Sequence, residues 1–136
     1  MTNTARSPLK IALWVAQIWL LIAFGFFGAM KLTQPLAELA KMMTWIPDFP
    51  PALPRFIGAM EILGALGMVV PILFLKRPSL TAAAAIGFCL IQLLAIMLHA
   101  SRGETGQTIG LNLLLLLPAL FVAWGRAGSR SVEQPA

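Results

Sequence analysis

Residues 11–30, IALWVAQIWLLIAFGFFGAM, run for twenty positions without a charge, with Arg6 and Lys10 before them and Lys31 directly after. A helix needs about 20 mostly apolar residues to cross the hydrocarbon of a bilayer, so the stretch reads as a transmembrane helix over about 11–31. Its start resembles a secretion signal. The apolar run exceeds the roughly 7–15 residues of a signal core, however, and no small-x-small cleavage site follows, so a retained anchor is expected.

Three further stretches repeat the pattern. Residues 55–75 are apolar except for the opening Arg55 and for Glu61, and carry Gly58, Gly64, Ala65, Gly67 and Pro71; residues 79–100 hold the small run Ala82–Ala85; residues 108–125 hold Leu113–Leu117 and Pro118. Composition agrees: 59% of the 136 residues are hydrophobic and 11% charged, against about 45–50% and about 25% in soluble domains. The fold class expected is all-α, a polytopic membrane protein with a four-transmembrane-helix bundle. One membrane domain spans 11–125, between a tail over 1–10 and a polar tail over 126–136, with no room for a separate soluble domain.

Between the first two crossings, residues 32–54 carry prolines at 35, 47, 50, 51 and 54, which forbid one continuous helix. After Pro35, residues Leu36, Leu39, Ala40 and Met43 share a face opposite Glu38 and Lys41, and Trp45 and Phe49 follow. This spacing predicts a short interfacial helix with aromatic anchors.

The net charge of +5 comes from ends of apolar segments rather than from a basic stripe interleaved with aromatics, so nucleic-acid binding is not expected. Cys89, the one cysteine, cannot form an internal disulfide or a C-x-x-C redox pair. With a single histidine, His99, a zinc set is absent and no metal is expected. If both termini are cytoplasmic, Arg6, Lys10, Lys76, Arg77, Arg126 and Arg130 lie inside, and Lys31, Lys41, Arg55 and Arg102 outside. That excess follows the positive-inside bias of a multi-pass protein of the cell membrane.

A charge near a helix centre costs at least about 2.5–3.5 kcal/mol on insertion scales, so Glu61 requires a compensating reason. It shares a face with Gly64 and Ala65, which suit contact with another helix. Lys31 closes the Gln17–Leu21–Phe24–Gly28 stripe, His99 that of Cys89, Gln92 and Ile96, and Asn112 lies one turn from Thr108. Helix rise and topology put Lys31, Glu61, His99 and Asn112 in one layer on the extracytoplasmic side, with Arg55 opening the second helix as a gate or a head-group contact. The layer admits three readings: a lock holding the helices in register, a pocket for the polar head of an apolar or amphipathic ligand, or a proton-transfer site in which Glu61 and His99 act as catalytic groups.

Gly28-Ala29-Met30-Lys31-Leu32, then Arg55-Phe56-Ile57-Gly58-Ala59-Met60-Glu61-Ile62-Leu63-Gly64-Ala65 with a closing Pro71, resemble the DoxX-like membrane proteins, as do the His99 end of the third helix and the Asn112 start of the fourth. The resemblance covers about 11–125 and rests on G-x-x-K-L and G-x-x-E-x-x-G-A in order. It implies a four-helix membrane bundle. Name-giving members are subunits associated with thiosulfate:quinone oxidoreduction, and relatives occur in membrane redox complexes or act as assembly factors and cargo receptors. A quinone or other apolar small molecule, membrane lipid and a redox partner protein are therefore the contacts that the resemblance implies. The four-helix vitamin K epoxide reductases share the architecture, but their chemistry uses paired cysteines where this chain has one.

Overall fold

The structure, a computed structural model, describes the backbone of residues 7–133 and the side chains of residues 7–127. Its elements are α1 (Pro8–Thr33), α2 (Leu36–Met42), a 3₁₀ turn (Ile46–Asp48), α3 (Ala52–Gly67), α4 (Val70–Leu73), α5 (Pro78–Ser101) and α6 (Thr105–Glu133). Four stretches are long and apolar enough to cross a membrane: Pro8–Thr33, Ala52–Leu73, Pro78–Ser101 and Thr105–Ala127. The chain is a four-helix integral membrane bundle.

The helices pack as two tight antiparallel pairs, α1 with α3 and α5 with α6, closed into a ring by lighter contacts of α1 with α6 and α3 with α5. Lipid is as apolar as leucine, so the helices are held by close fit and internal hydrogen bonds rather than by escape from water. Val15, Ile22, Leu63, Leu94 and Met97 accordingly face outward, while Gln17, Lys31, Glu61, Thr81, Gln92, Asn112 and Arg126 are buried. The centre is apolar, with Phe24 stacked on Phe88 at 3.7 Å between ring centroids among Leu20, Ala65, Met68 and Ala119.

Two prolines shape the spans. A proline has no N–H for the carbonyl four residues before it, and in a bilayer that carbonyl needs another donor. Pro71 frees the Gly67 carbonyl, which accepts from Thr81 Oγ1 at 2.8 Å. The chain breaks there between α3 and α4, so the second crossing, expected as one helix over 55–75, is Ala52–Leu73 in two pieces. Pro118 frees the Leu114 carbonyl, which accepts from Trp19 Nε1 at 3.1 Å, and α6 passes through it unbroken.

Other boundaries shift outward. The first helix begins at Pro8, with Ser7 Oγ accepting from the Lys10 amide at 3.1 Å. The fourth begins at Thr105 rather than 108 and continues to Glu133, so the polar tail expected from 126 is helical as far as that residue. Arg126 is drawn into the bundle, where Gln17 Oε1 accepts from its Nε at 2.5 Å. Residues 1–6 and 134–136 of the two expected tails lie outside the described residues.

The short amphipathic helix between the first two crossings is α2, and its apolar side is covered by protein. Leu39, Trp45 and Ile46 are buried against Met30, Leu53, Ile57 and Leu98. Residues 36–49 thus form a lid over one end of the bundle; both ends of the four-span unit and the turn at Lys76 lie at the other, here called the terminal side.

Candidate functional site

Beneath the lid, Lys31 near the end of α1 faces Glu61 in α3. Lys31 Nζ donates to Glu61 Oε2 at 2.9 Å and to Oε1 at 3.1 Å. Both side chains are almost fully shielded, and the ammonium also lies 5.7 Å from the centre of the Phe27 ring. Glycines bring the two helices close enough for this. A Cβ on Gly58 would stand 2.7 Å from Lys31 Cβ and 2.9 Å from the Gly28 carbonyl oxygen, and one on Gly28 would stand 2.9 Å from the Gly58 carbonyl oxygen. The G-x-x-K and G-x-x-E patterns therefore have one geometric meaning: each glycine lets the opposite backbone approach, and the charges one turn on meet.

Arg55, at the start of α3, ties that helix to the end of α1 beside the pair. Its Nη1 donates to the Lys31 carbonyl at 2.6 Å and to the Gln34 carbonyl at 2.8 Å, satisfying acceptors that the end of α1 leaves open.

The remaining two residues of the expected layer take other partners. His99 Nδ1 lies 2.8 Å from Glu104 Oε2; a carboxylate only accepts, so Nδ1 carries the proton. Asn112 Nδ2 donates to Gln92 Oε1 at 2.8 Å, joining α6 to α5. Asn112 Oδ1 is buried with no hydrogen-bond partner, an open acceptor of a kind that costs about 1–3 kcal/mol. The structure therefore brings Lys31, Glu61 and Arg55 together, and puts His99 and Asn112 in separate pairs.

A polar hub absent from the sequence reading joins the lid to the α5–α6 turn. Arg102 pairs with Asp48 and Glu104 and donates from Nη2 to the Thr44 carbonyl at 3.1 Å, while Thr44 Oγ1 donates to Glu104 Oε1 at 2.8 Å. Hydrogen bonds from His99, then Thr44, then Arg102 hold the Glu104 carboxyl at about 2, well below its ordinary 4.5. Asp48 and Glu104 push the Arg102 guanidinium up. Gly103 makes the turn possible with φ at 72°, where a side chain is strained. The available signal was the Arg102-Gly103-Glu104 run, which reads simply as a polar turn.

On the terminal side, Gln17 Nε2 donates to the Met68 carbonyl at 2.5 Å, beside the break made by Pro71, and Arg126 bonds the other end of the same amide. Among the described residues no group of His, Cys, Asp and Glu side chains could hold a metal ion.

The sequence model of the DoxX-like family matches residues 15–122, most of the chain. No curated protein and no solved structure matches the chain.

Proposed function

The chain belongs to the DoxX-like family, and from that premise we propose that it is an accessory, ligand-binding component of a quinone-linked membrane redox system. On this reading it holds the polar head of an apolar small molecule at Lys31 and Glu61. The observation that carries it is the place of the pair: two charges buried in a membrane span, beneath a lid of protein, with the Arg55 guanidinium beside it on the Lys31 and Gln34 carbonyls. A charged pair kept at this cost in a small bundle favours a functional site. The chemistry suits a quinone, whose carbonyl oxygens accept from an ammonium and whose reduced hydroxyls donate to a carboxylate, so one pair can hold both forms. The lid side is assigned to the extracytoplasmic face, with both termini cytoplasmic, by the positive-inside bias.

The geometry favours binding over acid–base catalysis by Glu61 and His99. Both Glu61 oxygens accept from Lys31 and His99 Nδ1 is engaged by Glu104, so the two groups share no hydrogen bond. A docking role for the lid is also less favoured, since Leu39, Trp45 and Ile46 face inward.

The test is native mass spectrometry with an absorption spectrum on gently purified wild type and Glu61→Gln, followed by titration with decylubiquinone. Retention by the wild type and loss from a folded Glu61→Gln is the expected result. Equal binding by both proteins, or by neither, overturns the reading.

A further inference from the structure

The terminal side carries a second feature, independent of the Lys31–Glu61 site. An open groove of about 480 Å³ runs along the outer face of α1, lined by Lys10, Ile11, Trp14, Val15 and Ile18. Ile11, Trp14, Val15 and Ile18 stand at i, i+3, i+4 and i+7, one apolar stripe along the helix axis, with the exposed Lys10 at its terminal edge. Trp14 is fixed from within the bundle: the Arg126 guanidinium lies 5.4 Å from the centre of its ring and is itself held by Gln17.

Charge is distributed unevenly around this groove. Among residues 7–127 the acids Glu38, Asp48, Glu61 and Glu104 all lie in the lid half, whereas Lys10, Lys76 and Arg77 lie on the terminal side. An apolar slot parallel to a membrane span, with a cation at the head-group level and a cationic rim beside it, has the form of an amphiphile's acyl chain below an anionic head.

We infer that this groove is a binding site for one anionic glycerophospholipid, its acyl chain lying along Ile11, Trp14, Val15 and Ile18 and its phosphate meeting Lys10. Zwitterionic lipids fill the same slot more weakly, because they bring the chain without the net negative head.

The test is lipid titration of the purified protein by native mass spectrometry, comparing phosphatidylglycerol with phosphatidylcholine of identical chains. The proteins are the wild type, Lys10→Gln, Val15→Trp and, as a rim control, Lys76→Gln. Val15 is 65% exposed, so a tryptophan there fills the groove without disturbing the interior. Wild type is expected to retain one phosphatidylglycerol in preference to phosphatidylcholine. Lys10→Gln should lose about fivefold in phosphatidylglycerol affinity, the worth of one interfacial cation. Val15→Trp should weaken both lipids, Lys76→Gln should leave both unchanged, and inorganic phosphate should not displace the lipid. Equal losses in Lys10→Gln and Lys76→Gln would mean diffuse rim charge. That result, no effect of Val15→Trp, or no preference between the two lipids overturns the site.

Discussion

At the scale of single residues, the Lys31–Glu61 pair and the glycines beside it make separable demands. Gly58→Ala forces a Cβ against Lys31 Cβ and the Gly28 carbonyl, and helix backbones yield little, so a loss of about 1–3 kcal/mol is expected. Gly106→Ala meets nothing within 4 Å and should be neutral or slightly stabilising; thermal melting in detergent followed by tryptophan fluorescence compares the two. Lys31→Met strands a buried carboxylate and should lower stability by about 3–5 kcal/mol, whereas Lys31→Met combined with Glu61→Leu should regain most of that loss, as replaced buried pairs often do. A double variant no more stable than the single one would make the pair a structural lock. The meeting of these two residues was legible because an apolar helix with one carboxylate on a small-residue face needs a cation from a neighbour, and Lys31 sits one turn beyond Gly28. His99 was less legible: its partner Glu104 lies in a turn set by Gly103, whose geometry sequence spacing does not fix.

At the scale of elements, the lid is joined to the α5–α6 turn through Glu104, which accepts from Thr44, His99 and Arg102. A carboxyl whose folded value is depressed stabilises the fold above its unfolded value, and that contribution fades as pH falls from about 4.5 through about 2. Wild type should therefore melt above Glu104→Gln at pH 6, and the gap should narrow steadily between pH 4.5 and pH 2.5; a gap independent of pH would assign the difference to shape rather than charge. Arg102→Gln removes the bonds to Asp48 and the Thr44 carbonyl, and faster amide exchange over residues 36–49 than in wild type is the expected outcome. The crossings themselves were readable from hydropathy, since a span of apolar side chains and its length are properties of the sequence. Their ends were not, because Pro71 breaks its span and Pro118 does not. Both freed carbonyls find side-chain donors, Thr81 and Trp19, but only tertiary placement says which backbone then stays continuous.

At the scale of the whole molecule, the bundle is polar at two levels with an aromatic plug between them. Lys31 and Glu61 lie under the lid, Gln17 and Arg126 towards the terminal side, and Phe24 and Phe88 stack across the middle. Arg126 belonged to a tail by composition, yet it is 5% exposed. Hydropathy ends the membrane segment at the first charge, and only the fold reveals that Gln17 and Trp14 await it. The terminal side gathers Lys10, Lys76 and Arg77 and the lid side holds the acids of residues 7–127, so a membrane with its anionic leaflet inside should insert the chain with the terminal side inward. Cysteine labelling decides this. In a Cys89→Ala background, Arg77→Cys lies in the exposed turn before α5, and Gly106→Cys lies in the first turn of α6 with open space around it. Because four crossings alternate, the two positions must fall on opposite sides. A membrane-impermeant maleimide added to intact cells should modify position 106 and spare position 77 until the cells are opened. Labelling of 77 alone would reverse the bundle, put the Lys31–Glu61 pair on the cytoplasmic side and separate the cationic rim from the anionic leaflet. Labelling of both in intact cells would contradict the alternation of four crossings, and with it the α1–α3 and α5–α6 pairing on which both polar levels depend.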